Sequence, residues 1–245
     1  MLLRRVIEHV KAQNWVAVFL DFVIVVVGVF FGFQVTAWND ARTDRLQEHV
    51  YLERLREDIE LSIVRNETNV AFMRRHADYG TLILNALEEC RITLSEEDKF
   101  ASGLYLAGKI TQPVLLRTAI DELKATGKFE VIQNIDLRKA IAALVEIIEF
   151  RSVIDEKIFL RASPAVAAIE RKVMVLKTEP WDPAQDVVAA AVRFDLEALC
   201  ADAEFAHAIA TTRSSTFASV FFTEDIIRMQ REVLAMIDAE LAGDG

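Results

Sequence analysis

Between Trp15 and Trp38 the chain carries a single charged side chain, Asp21, in the run WVAVFLDFVIVVVGVFFGFQVTAW. At about 1.5 Å of rise per residue this stretch forms roughly 36 Å of helix, enough to cross a hydrocarbon layer of about 30 Å. A helix apolar on every face needs a bilayer or a very large protein core around it. The roughly 200 residues that follow are too few to wrap it. Trp15 and Trp38 stand at its two ends, where an indole gains most by lying at headgroup level. A cleaved signal peptide competes with this reading, because Val35-Thr36-Ala37 has the small-residue spacing of a cleavage site. The apolar run is much longer than an h-region of about 7–15 residues, however, and Phe30, Phe31 and Phe33 crowd the approach to that site. The sequence therefore predicts one retained transmembrane span over 15–38. It follows a short basic juxtamembrane segment over 1–14 and leads into an extramembrane domain over 39–245.

Charge near the span does not fix its orientation. Arg4, Arg5 and Lys11 precede it, and Arg42, Arg45, Arg54 and Arg56 follow it, so the two flanks are close to balance under the positive-inside rule. The bulk of the chain decides. Of 28 basic and 38 acidic residues, three and two lie before residue 39, which leaves 39–245 at about −11. A short basic tail in the cytoplasm and a large acidic domain in the periplasm of a bacterial inner membrane is the expected arrangement. Leu3, Val6, Ile7 and Val10 recur at helical spacing within the tail, a pattern that lets it lie in the interface, as a topogenic anchor or with its basic face on anionic lipid.

Within the span, Gly28 and Gly32 form G-x-x-x-G, the spacing that lets two helix backbones approach where lipid offers no hydrophobic reason to associate. At about 100° per residue, Asp21 lies roughly 20° from each glycine, on opposite sides, so all three share one face. A carboxyl in hydrocarbon costs about 2.5–3.5 kcal/mol at the centre and less toward the ends. Asp21 pairs across a helix–helix interface, snorkels to the headgroups from its place six residues from Trp15, or handles a proton or ion.

No Gly or Pro stands between Gly32 and Gly80, so the span is expected to continue as one long helix. An apolar stripe follows at steps of three and four through Leu52, Leu55, Ile59, Ile63, Asn66, Val70, Met73, Ala77, Gly80, Leu84 and Leu87. This is the seam of a coiled coil or of a helical bundle within the same chain, with Asn66 as a register-setting polar residue. With 8 Gly and 4 Pro in the whole chain and little strict alternation, the remainder reads as helices too. The expected elements are a helix after Ser95 and a helix over Pro113–Thr126 stopped by Gly127. A further helix is capped by Asn134, carries Leu137, Ile141, Leu144, Ile148 and Ile154, restarts or kinks at Ser163-Pro164 and runs to about Lys177. After a Pro180–Pro183 loop holding Trp181, Asp195 and Asp202 are expected caps, and a final helix covers Asp225–Leu241. The fold class is all-α: a transmembrane helix continuing into a long helix, then a helical bundle.

The positions Asp21, Gly28, Gln34, Trp38, Asn39 and Asp40, followed by Leu52, Leu55, Asp58 and Ile59, resemble the amino-terminal signature of an uncharacterised bacterial family of single-span membrane proteins. Thr118, Leu123, Gly127, Phe129, Ile132, Asn134, Leu137 and Ile141 resemble that family's midsection. The likeness covers about half the chain, departing from the family at Thr36, Ala37 and Gly32. It implies an inner-membrane helical protein and no particular activity.

Catalytic and cofactor motifs are incomplete. Gly103-Leu-Tyr-Leu-Ala-Gly108-Lys109 has phosphate-loop spacing, but Ile110 stands where Ser or Thr must hold magnesium. Glu204 and His207 form one E-x-x-H pair where a di-iron bundle needs two. His9, His49, His76 and His207 are scattered, and Ser214 and Ser215 lack a glycine-flanked elbow. Cys90 and Cys200 are candidates for a disulfide if the domain is periplasmic, although the 109 residues between them give the pairing no local support. The acidic balance argues against nucleic acid as a partner. The expected role is a non-catalytic, cofactor-free assembly or accessory subunit. It would associate with other membrane proteins or with itself through the span and long helix. A ligand-sensing module acting through the span is the alternative.

Overall fold

The computed structural model describes residues 15–178, 182, 185 and 187–243, with the side chains of 15–18 and 21 excepted. The juxtamembrane segment over 1–14 and Trp181 lie outside the described residues. Helix α1 spans Trp15–Glu89, as expected for a stretch whose interior has neither proline nor a glycine run to break it. The chain divides into two compact units, 1–50 and 51–245.

The first unit is the leading part of α1. Every side chain from Phe22 to Leu46 is exposed. The hydroxyls of Thr36 and Thr43 donate to the carbonyls of Gly32 and Asn39 at 3.0 Å each, so these polar groups are satisfied by their own helix.

The second unit is built on three long helices: α1 from Tyr51 onward, α4 (Ile135–Lys172) and α6 (Ala203–Gly243). Ion pairs and hydrogen bonds fix their directions. Arg56 meets Asp238, Arg231 meets Glu67, and Arg213 meets Thr81, so α6 runs antiparallel to α1. Asn134 donates to Glu240 and Lys172 pairs with Asp202, so α6 is antiparallel to α4 as well. The predicted stripe is the core seam, with Leu52, Leu55, Ile59, Met73 and Ala77 fully buried by other parts of the same chain. Helices α2 (Glu97–Leu106) and α3 (Thr118–Ala125), a 3₁₀ turn over Phe129–Val131 and the short α5 (Leu196–Cys200) complete the cover.

Asn134, Asp195 and Asp202 cap helices with their side-chain oxygens. Gly127 adopts φ +68° and closes α3 in a Schellman turn, its amide reaching Lys124 and that of Lys128 reaching Leu123. Ahead of α2, the Glu96 carboxylate rather than Ser95 organises the start, accepting from the Thr93 amide and hydroxyl at 3.1 and 2.6 Å.

Four expectations are corrected. The helix predicted from Pro113 begins only at Thr118, because α1 holds the preceding segment extended. Asn66 bonds both the amide and the carbonyl of Val114, at 2.7 and 2.8 Å, and Ser62 Oγ accepts from Leu116 N at 2.8 Å. Asp58 then accepts from Ala119 N at 3.0 Å, capping α3 from a neighbouring helix. Second, of the restart or kink expected at Ser163-Pro164 the restart is absent: α4 runs through Pro164, whose ring leaves the Leu160 carbonyl without its helical donor. Third, the chain from Met174 is not helix. β1 (Met174–Thr178) pairs antiparallel with β2 (Ala190–Arg193), Met174 opposite Arg193 and Thr178 opposite Ala190, with an irregularity at Leu176. Fourth, the helix expected over Asp225–Leu241 is the second half of the 41-residue α6.

Candidate functional site

The span residues singled out by sequence keep their helical spacing in α1, and the side chains of Trp15 and Asp21 lie outside the described set. A Cβ added to Gly28 or Gly32 would meet nothing within 4 Å, and Trp38 is 68% exposed. This is one helix long and apolar enough to cross a membrane, and none of its apolar window is buried.

The second unit has a divided core. One apolar cluster joins Leu52–Met73 of α1 to Leu137–Val145 of α4 and Val220–Ile237 of α6. A second joins Ile83–Leu87 to Ala168–Val173 and Phe205–Ile209. Between them and at their edge, all three helices bury polar side chains, His76, then Arg151 and Asp155, then Thr212, Thr216, Ser219 and Thr223, alongside Ala77, Tyr79 and Ala162. The threonines pay little for burial because Thr212, Thr216 and Thr223 each donate to a carbonyl three or four residues back. Arg151 and Asp155, 4% and 2% exposed, form an ion pair one helical turn apart, and the guanidinium lies 4.2 Å from the Phe222 ring centroid. Burial raises the Asp155 pKa above its ordinary value, against the lowering pull of Arg151. Burial likewise pushes His76 down to about 4, with the positive charges of Arg75 and Lys109 acting in the same direction. The His76 ring is neutral and packs edge-on against Phe72 at 3.7 Å between centroids.

This layer was missed in the sequence, yet its signal is present. The α4 stripe Leu137, Ile141, Leu144, Ile148 continues at steps of three and four to Arg151 and Asp155. A charged pair in register with an apolar stripe is a buried pair, not a solvated one.

The incomplete phosphate-loop motif has a packing explanation. Gly103 lies within α2, where a Cβ would come within 2.8 Å of Tyr79 Cβ. Gly108 has φ +77°, and a Cβ there would meet Val166 Cγ2 at 2.3 Å, so only glycine lets this loop sit so close to α4. Glu204 of the E-x-x-H pair turns to Arg171 at 3.4 Å. No group of three or more His, Cys, Asp or Glu is placed to hold a metal among the described residues.

Cys90 and Cys200 are bonded to one another, with Cα atoms 5.6 Å apart. The bond joins the end of α1 to the start of the region leading into α6. Cys90 is the C′ residue of α1, at φ +46°, and the Arg91 amide returns to the Ala86 carbonyl at 3.0 Å. A position that ordinarily favours glycine is thus occupied by the cross-linking residue.

Compared with protein-family models, curated proteins and solved structures, the chain matches none, so its functional reading rests on sequence and geometry alone.

Proposed function

We propose that this protein is a non-catalytic, membrane-anchored assembly or accessory subunit, held in a bacterial inner membrane by α1 and associating through that span with other membrane subunits or with itself. The observation that carries the reading is the exposed apolar helix, with none of its apolar window buried among the described residues and a small-residue face at Gly28 and Gly32. The Cys90–Cys200 bond supports a periplasmic domain and a cytoplasmic tail, because disulfides persist in the periplasm and are reduced in the cytosol. The long seam of α1 is occupied by the chain's own helices, so association falls to the membrane-embedded part. The test is purification of the full chain in mild detergent, with the mass of the complex measured by light scattering and its components identified by mass spectrometry. Wild type is expected as a complex, and Asp21→Ala or Gly28→Leu is expected to dissociate it. A lone wild-type monomer, or complexes indifferent to both substitutions, would refute the reading.

A further inference from the structure

A groove of about 630 Å³ opens between the loop after α2, the second half of α4 and strand β1, a volume within the range of small-molecule sites, roughly 300–1,000 Å³. Its floor is apolar and closed: Leu104, Ile169 and Val173 are each no more than 5% exposed. Its walls are not closed. Phe159 and Val175 line it and remain 57% and 44% exposed, an apolar surface left open among the described residues.

At one end stands Lys109, half-buried, with its ammonium 3.5 Å from the centroid of the Tyr105 ring. In a chain with 38 acidic residues and a net charge of −10, this lysine has no carboxylate partner among the described residues. The ring face holds the cation by its quadrupole, and no described carboxylate compensates its charge. The loop that carries Lys109 is fixed rather than swinging free, because Gly108 seats its backbone against Val166. Glu170 is the one carboxylate among the lining residues; it is exposed at the rim, where solvent and salt screen it.

From this juxtaposition, among the described residues, of an exposed apolar trough and one lining ammonium with no carboxylate partner, we propose that the groove binds an amphipathic monoanion, an alkyl carboxylate whose head pairs with Lys109 and whose tail lies along Phe159 and Val175. One ammonium neutralises one charge, which favours a carboxylate over a phosphate monoester carrying close to two. The site is independent of the span and of its partners.

The test uses the full chain in lipid nanodiscs and octanoate as the probe, followed by saturation-transfer NMR. Nanodiscs carrying Val175→Trp, which fills the trough, serve as the blank that cancels partitioning into lipid. Saturable 1:1 binding above that blank is expected, weakened at least tenfold in Lys109→Met and kept within threefold in Lys109→Arg. Uncharged 1-octanol and dianionic octyl phosphate are each expected to bind at least tenfold more weakly than octanoate. Circular dichroism melting checks that both Lys109 variants fold as wild type does. No saturable signal above the Val175→Trp blank, equal binding of octanol and octanoate, or a twofold or smaller change in a folded Lys109→Met would overturn the proposal.

Discussion

Reducing the Cys90–Cys200 bond should cost this domain a large part of its stability. The bond closes a loop of 110 residues, and constraint of the unfolded chain by a loop that long amounts to about 4.8 kcal/mol in the chain-entropy treatment. Domains of this size are stable by only about 5–15 kcal/mol in total. At about 2–4 °C per kcal/mol for a unit of this length, the melting temperature should fall by roughly 10–20 °C. The assay is thermal melting of the full chain in detergent, followed by far-ultraviolet circular dichroism, with and without reductant and in Cys90→Ser/Cys200→Ser. The backbone at Cys90 supplies an internal control. Its φ of +46° penalises any side chain, so Cys90→Gly/Cys200→Ser should be more stable than the double serine variant by about 1 kcal/mol. A reduced protein that melts within about 3 °C of the oxidised one would refute the reasoning.

The buried Arg151–Asp155 pair gives a contrast. Asp155→Ala should destabilise by about 3–5 kcal/mol because it strands a buried guanidinium, whereas Arg151→Met/Asp155→Leu should be near neutral in chemical denaturation. His76, neutral in the fold with its pKa pushed to about 4 against 6.5 when unfolded, makes the unfolded state the better proton acceptor between those values. Its contribution is therefore present above pH 6.5 and lost as pH falls toward 4, by about 3 kcal/mol in all; His76→Phe should flatten that part of a stability–pH profile. Asn66→Leu leaves the Val114 amide unpaired and removes a bond to Gln230. A loss of about 3 kcal/mol is expected, with faster proteolysis in the extended segment before Thr118.

The helical elements were legible where local chemistry decides them: the α1 seam in its three-four spacing, the caps in Asn134, Asp195 and Asp202, the stop in Gly127. What escaped depends on contacts distant in sequence. The segment after Pro113 has helix-forming residues in Leu115 and Leu116, but Ser62 and Asn66, about 50 positions earlier, take its backbone groups out of helical pairing. The hairpin was hidden because Met174–Thr178 is too short for alternation to stand out, and its partner Ala190–Arg193 has only Val192 to favour a strand. The polar belt was hidden by the assumption that a buried stripe must be apolar. In α6, Thr212, Thr216 and Ser219 break the apolar pattern midway, so that only the second half read as an amphipathic helix. The Lys109 groove had one visible trace, a glycine–lysine loop whose phosphate-binding pattern is incomplete.

The central claim is that α1 keeps the whole chain in lipid while its domain stands on the oxidising side. Alkaline carbonate extraction of membranes from cells producing the full chain tests it most directly. The account predicts uncleaved protein in the pellet with Cys90 and Cys200 joined; intact chain released to the supernatant, or a mature form beginning after Ala37, would contradict it.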